Sequence, residues 1–169
     1  RLQSYTRDLT EYPNLVVLQT LSKAWGLAGL RVGLAFGSVE LISILNRIKP
    51  PYNINEASQN LVLKALDEVG MVNDMIREIV KEREKLVRDL GSLPGVQKVY
   101  ESDANFLLVR FDEQVQARRL YERLLNYGIV VRDRSQVAGC ENALRITVGT
   151  EAENKKLIEL LPSLLNNHS

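Results

Sequence analysis

The chain has 169 residues, 45% hydrophobic and 25% charged, the make-up of a globular polypeptide of one domain or of part of a larger one. Lysine plus arginine (22) nearly cancels aspartate plus glutamate (21), which excludes the strongly basic face of a nucleic-acid binder. No apolar run is long enough to cross a bilayer, no signal peptide opens the chain, and the single cysteine, Cys140, excludes an internal disulfide or a cysteine metal cluster; no metal site and a cytoplasmic setting are expected.

In chain order, Asp8, Thr10 and Tyr12-Pro13-Asn14 read as the end of a helix and a turn. Two apolar strands follow over 15–20 and 30–37, the first opening on Leu15-Val16-Val17-Leu18 as a buried strand, the second carrying Arg31 near its start. A short helix has Val39, Leu41, Ile42, Leu45 and Ile48 on or near one face and stops at Lys49-Pro50-Pro51. After a loop at Tyr52-Asn53-Ile54-Asn55, Asn55 serves as N-cap for a helix with Leu61, Val62, Ala65 and Leu66 as apolar positions. Gly70 is expected to break it before a long amphipathic helix over 71–90, whose central charge run reads as a solvated face.

Pro94 and Gly95 close that helix, and the rest reads as a compact α/β unit. Val96-Gln97-Lys98-Val99 is an edge strand and Asn105-Phe106-Leu107-Leu108-Val109 a more buried one. A helix over 114–126 closes at Gly128, and the short strands Ile129-Val130-Val131 and Leu144-Arg145-Ile146-Thr147-Val148 flank a polar loop. Thr150 and Glu153 form a capping box for a last helix that turns Leu157, Leu160, Leu161 and Leu164 inward, before a polar tail holding His168. The expected division is 1–70 as the end of a larger domain, 71–91 as a connecting helix and 92–169 as a small domain.

Chemistry concentrates first at Thr20-Leu21-Ser22-Lys23-Ala24-Trp25-Gly26-Leu27-Ala28-Gly29-Leu30-Arg31-Val32-Gly33. A lysine on a loop of hydroxyl and small residues, with an arginine eight positions on, suits an aldehyde cofactor that carries a phosphate. The amine attacks the aldehyde carbon, and Ser22 and Arg31 supply a hydrogen bond and a charge to the phosphate. Taken by composition alone, Lys23 reads as a solvated lysine after a strand. Arg132 and Arg145 each interrupt or follow an apolar strand, so each snorkels, finds a local carboxylate such as Asp133, or meets a bound anion.

The S-K-x-x-x-L-A-G-L-R-x-G pattern resembles the pyridoxal-phosphate lysine region of fold-type I aminotransferases. With Pro51-Tyr52-Asn53, Asn105-Phe106-Leu107-Leu108, Gly128-Ile129-Val130-Val131-Arg132-Asp133 and Leu144-Arg145-Ile146-Thr147-Val148-Gly149-Thr150, the resemblance narrows to the histidinol-phosphate aminotransferases and covers essentially the whole chain, in the second half of their polypeptide. It implies an α/β fold made of the end of the large cofactor-domain sheet and a small C-terminal α/β domain. It implies pyridoxal 5'-phosphate held covalently on Lys23, the catalytic residue, with Ser22 and Arg31 on its phosphate. Arg145 and Arg132 take the substrate's anionic groups, and Tyr52 and Asn105 face the active site or serve the fold alone.

The implied activity exchanges an amino group between L-glutamate and imidazole acetol phosphate, giving L-histidinol phosphate, in a homodimer or strand-exchanged oligomer. An aromatic aminotransferase, a threonine-phosphate decarboxylase, or a non-catalytic dimerisation or regulatory module share much of this pattern. One element of the family's pattern is missing. The aspartate that meets the ring nitrogen precedes the lysine by a few dozen residues in that family, and 1–18 offers no candidate in a strand. The chain is therefore expected to be a fragment, inactive by itself.

Overall fold

The structure, a computed structural model, describes residues 4–165. The tail with His168 lies outside the described residues. The chain forms two compact units, Arg1–Asp74 and Met75–Ser169.

In the first unit a 3-10 turn, Tyr5–Asp8, is capped by the Ser4 hydroxyl, which accepts from the Thr6 amide at 3.3 Å. Strands β1 (Val17–Thr20) and β2 (Gly33–Phe36) pair antiparallel, from Val17 opposite Phe36 to Thr20 opposite Gly33. A Cβ on Gly33 would sit 3.2 Å from the Gln19 carbonyl oxygen, so the close approach of the two strands favours glycine there. Helix α1 (Val39–Ile48) starts at Ser38, whose hydroxyl accepts from the Leu41 amide, and stops at Lys49 ahead of Pro50. Helix α2 (Glu56–Leu66) is capped as expected by Asn55, whose Oδ1 accepts from the Ser58 amide at 2.8 Å. The core here is small. Leu21, Val32 and Val62 are buried, with Trp25, Leu27, Leu30, Ile54 and Leu66 packed against them.

Two sequence expectations change in this unit. The Leu15-Val16-Val17-Leu18 run is not a buried strand, for β1 begins at Val17 and Leu18 is 78% exposed. A two-stranded ribbon has two faces, and this unit's apolar cluster gathers on the loop beyond the ribbon rather than on those faces. The second strand starts three residues later than expected, because Ala28–Leu30 forms a 3-10 turn and Arg31 sits in the left-handed region at φ 57°.

Helix α3 (Val69–Gly91) runs through Gly70 instead of beginning after it. Gly70 falls in the first helical turn, where the amides have no intrahelical acceptor and a glycine costs little. The break falls at Asp67 and Glu68, whose amides bond back to the Lys64 and Ala65 carbonyls at 3.3 and 3.0 Å.

The second unit is a four-stranded antiparallel sheet with helices packed on its core face. The strands are β3 (Val96–Val99), β4 (Phe106–Phe111), β5 (Arg132–Asp133) and β6 (Ala143–Thr147), in spatial order β3-β4-β6-β5. Alternation along β4 buries Leu107, Val109 and Phe111 and turns Phe106, Leu108 and Arg110 to the other face. Those buried residues meet Leu86 and Leu90 of α3, Leu120 and Leu124 of α4 (Ala117–Asn126), and Leu157, Leu161 and Leu164 of α5 (Glu151–Leu165). The capping box forms: the Thr150 amide donates to Glu153 Oε2 at 2.8 Å, and the Glu153 amide to Thr150 Oγ1 at 3.4 Å.

Three details differ from the sequence reading. Helix α4 starts at Ala117, because Asp112 Oδ1 first takes the Gln114 and Val115 amides into a turn. The Ile129-Val130-Val131 run is unpaired, and β5 holds only the next two residues. The amides of Tyr127, Gly128 and Ile129 are committed to the last carbonyls of α4, so the chain reaches the β6 edge only at Arg132. Asn142, at φ 51°, is a hub that local pattern does not disclose. Its Nδ2 faces the Phe111, Asp112 and Val115 carbonyls at 3.1, 2.9 and 2.8 Å, and its Oδ1 accepts from the Ala117 amide at 2.8 Å. It thereby caps a helix that begins 25 residues earlier.

Candidate active site

In the first unit the β1–β2 ladder decides where the loop residues stand. Beyond the Thr20–Gly33 pair, the Leu21 amide still donates to the Val32 carbonyl at 3.4 Å, so the same register carries Ser22 and Arg31 to opposite sides of the loop mouth. Leu21, 1% exposed, anchors the loop in the core, and the Leu27 amide returns to the Leu21 carbonyl at 3.1 Å. Between these anchors the Gly26 amide bonds the Lys23 carbonyl at 3.0 Å, with Gly26 at φ 66° where only glycine sits without strain. Lys23 is exposed at this turn, and its ammonium has no partner among the described residues.

The donors beside it are already ordered. Thr20 Oγ1 accepts from the Ser22 amide at 3.0 Å and donates to Ser22 Oγ at 2.8 Å. Arg31 Nη1 donates to the Ala28 carbonyl at 3.1 Å, from a left-handed backbone that costs a non-glycine residue about 1 kcal/mol. Strain of that kind is often retained where function requires a particular side-chain position. A hypothetical Cβ on Gly29 meets nothing within 4 Å, so the loop is open to an approaching group. Two hydroxyls, a guanidinium and a free amine on one open loop fit a phosphate-bearing aldehyde.

In the second unit the register places Arg132 of β5 directly opposite Arg145 of β6, on the sheet face away from the core. Directly opposed like charges repel, with Cβ atoms about 5 Å apart. The expected local escape through Asp133 is not taken: that carboxylate accepts from the Ser135 amide at 2.9 Å and pairs with Arg118 at 3.6 Å. Although burial works against ionisation, these hydrogen bonds and the Arg118 charge hold Asp133 below the usual carboxylate range. A third arginine on this face, Arg110, is neutralised by Glu141 at 3.2 Å and bonded to the Gly139 carbonyl at 2.8 Å. Among the described residues neither Arg132 nor Arg145 has an acidic partner.

Arg145 instead lies over the Phe106 ring, 5.0 Å from its centroid, with Nε buried and unpartnered. Sequence reasoning missed that contact, since residues 39 apart meet only once the β4–β6 register is known. Asn105 is half-buried just before β4, and its carbonyl accepts from the Val148 amide at 2.9 Å. Tyr52 is 93% exposed in the loop between α1 and α2. A pocket of about 370 Å³ lined by Gly128, Val131, Thr147, Asn154 and Lys156 contains none of the expected residues. Among the described residues no helix is long and apolar enough to cross a membrane, and no group of three or more His, Cys, Asp or Glu is placed to hold a metal.

Comparison with known proteins identifies the family. The family model for aminotransferase class I and II matches residues 3–161. A histidinol-phosphate aminotransferase of Flavobacterium psychrophilum is 48% identical over 161 residues, which are 95% of this chain and 45% of that protein. The chain thus spans a little under half the length of that relative. Among solved structures, the histidinol-phosphate aminotransferase of Clostridium acetobutylicum superposes with a TM-score of 0.88 at 23% identity, over 97% of this chain and 49% of that one. The histidinol-phosphate aminotransferase of Sinorhizobium meliloti, in complex with pyridoxal-5'-phosphate, superposes with a TM-score of 0.83 at 24% identity, over 97% and 44%. These likenesses give an α/β fragment of the fold-type I aminotransferase fold, and the chain belongs to the aminotransferase class I and II family.

Proposed function

We infer that the chain is the lysine-bearing part of an enzyme that transfers an amino group from L-glutamate to imidazole acetol phosphate, giving L-histidinol phosphate, with pyridoxal 5'-phosphate as cofactor. The observation that carries this reading is the presence of two unneutralised donor sets in one chain. Ser22, Lys23 and Arg31 stand on one open loop, and Arg132 faces Arg145 with neither holding an acidic partner among the described residues.

When bound, the cofactor supplies an electron-accepting ring at the carbon that loses its proton. Ser22 Oγ and Arg31 bind its phosphate, and the strained Arg31 backbone keeps that guanidinium at the loop mouth. Lys23 Nζ would hold the cofactor aldehyde covalently and, once displaced from it by the substrate amine, would accept the substrate Cα proton and return it. Arg145 and Arg132 hold the substrate's anionic end. An arginine fork accepts a carboxylate or a phosphate through paired hydrogen bonds, which lets one site serve glutamate and histidinol phosphate in turn. Tyr52 and Asn105 are read as substrate contacts by resemblance to the family. A cytoplasmic homodimer completes the site, supported by the apolar side chains that β1, β2 and α1 expose, among them Leu18, Phe36, Val39 and Ile48.

The test uses the polypeptide encoded by the complete reading frame. It should move the amino group of L-histidinol phosphate to 2-oxoglutarate, and Lys23→Ala should abolish turnover. Borohydride reduction and peptide mapping should put the cofactor label on Lys23; label on Lys49 or Lys64 would overturn the assignment. Release of carbon dioxide from threonine phosphate, or transfer from phenylalanine alone, would replace the substrate. Arg145→Lys should raise KM for both substrates, and an unchanged KM for glutamate removes Arg145 from the site. The 169-residue chain alone should show no transfer, since the aspartate in 1–18, Asp8, lies in a 3-10 turn and not in a strand that could present it to the ring nitrogen.

A further inference from the structure

Arg110 and Arg145 lie on the same sheet face, each over a ring and each with Nε buried and unpartnered, Arg110 standing 5.7 Å from the Tyr100 centroid; what separates them is the acidic partner. Arg110 is also held through Nη2 by the Glu141 carboxylate and the Gly139 carbonyl, and the carboxylate offsets its charge. Arg145 is fixed by a ring: its guanidinium carbon is 5.0 Å from the Phe106 centroid, and its Nε is shut from solvent without an acceptor. An aromatic face orients a guanidinium while leaving the terminal N–H groups and the positive charge unspent.

The ring is itself braced. The carbonyl of Phe106 accepts from Ser102 Oγ at 2.7 Å, and Ser102 Oγ accepts from the Ala104 amide at 3.1 Å. The Ala104 carbonyl accepts from Arg83 Nη1 at 2.9 Å, and the Asn105 carbonyl accepts from the Val148 amide at 2.9 Å. The turn that delivers Phe106 is thus tied to α3 on one side and to the end of β6 on the other. Phe106 and Arg145 are diagonal neighbours across β4 and β6, one step from the Leu108–Arg145 pair, a separation that an aromatic and an arginine bridge readily.

We propose that Phe106 is a positioning residue for Arg145, holding its guanidinium plane by stacking so that its terminal nitrogens stay free for a ligand's carboxylate or phosphate. The proposal rests on the reading of Arg145 as an anion contact. Stacking energies in this range correspond to an affinity effect of roughly threefold to tenfold when the ring is removed.

The experiment uses the whole chain with 15N-labelled arginine, titrated with inorganic phosphate while the Arg145 Nε–Hε resonance is followed. In the unsubstituted chain that resonance should be displaced upfield by the ring, and a resonance at the ordinary arginine position would overturn the proposal without any variant. F106L should abolish the displacement and weaken phosphate binding by about threefold to tenfold, leaving the Arg110 resonance in place. F106Y should restore both properties. Unchanged phosphate affinity in F106L, with R145K still weaker, would overturn the role of Phe106 while keeping Arg145. Equal displacement of the Arg110 resonance in F106L would mean a disturbed sheet and would also overturn it. Phosphate binding by R145K as tight as in the unsubstituted chain would overturn the anion role of Arg145 itself.

Discussion

Replacing Asn142 tests the largest packing claim about the second unit. Its side chain serves three carbonyls and one amide, drawn from the end of β4, the Asp112 turn and the first turn of α4. One amide group has two protons, so three carbonyls share two full bonds, and the Ala117 cap makes a third. At about 1 kcal/mol net for each bond, Asn142→Ala forfeits about 3 kcal/mol. Alanine at φ 51° adds about 1 kcal/mol, because asparagine tolerates the left-handed region better. Asn142 is half-buried and water repairs part of the loss, which leaves about 3 kcal/mol overall. A unit of roughly 100 residues has about 5–15 kcal/mol to lose, so the effect is large. Asn142→Gly keeps the backbone at ease and loses only the bonds, about 2 kcal/mol. Guanidinium unfolding followed by far-ultraviolet circular dichroism measures both, with Trp25 fluorescence reporting the first unit separately. A N142A chain within about 0.5 kcal/mol of the unsubstituted one, or N142G less stable than N142A, would refute the reasoning.

Arg31→Gly should raise the stability of the first unit by about 1 kcal/mol through relief of the left-handed backbone, while Arg31→Ala lowers it; Trp25-monitored unfolding that ranks them the other way would remove the strain assignment. Leu21→Ala empties the centre of the small cluster and should cost about 2–4 kcal/mol with a red shift of Trp25 emission, and an unshifted spectrum would contradict that packing. The Thr150 amide and hydroxyl hold the Glu153 carboxyl below its ordinary range. Its contribution is therefore present above that ordinary range and lost as pH falls through the lowered value. Glu153→Gln should flatten part of the acid-side loss of stability, and parallel pH–stability curves would show that the cap carries none of it.

Legibility followed the range of the interactions involved. Asn55 with Ser58 and Thr150 with Glu153 act within one turn, and both were readable from residue spacing alone. Alternation along β4 was readable for the same reason, since burial on one face has period two. Arg31 was misread because Leu30-Arg31-Val32 alternates like a strand, while its conformation is set by the 3-10 turn before it. The unpaired Ile129-Val130-Val131 run shows that strand-prone residues need a free amide and an edge within reach, and the end of α4 takes the amides of Tyr127, Gly128 and Ile129. The Asn142 hub, the Arg132–Arg145 register and the Phe106 contact connect residues 13 to 39 apart, a distance at which local pattern carries no information. At the candidate site, residue types were legible and their pairing was not.

The Arg132–Arg145 register also bears on how β5 finds its place. A slip of one residue would bring Asp133 opposite Arg145, exchanging repulsion for an ion pair and turning Arg132 toward the core face. The native alignment is therefore the less favourable one for charge along this edge, and the packing around Val131 and Leu144 has to outweigh it. An anion bridging the two guanidiniums removes that conflict and rewards only the native alignment. Ligand affinity and strand alignment then draw on one free energy, so phosphate should raise the hydrogen-exchange protection of the Arg132 amide along with occupancy of the site.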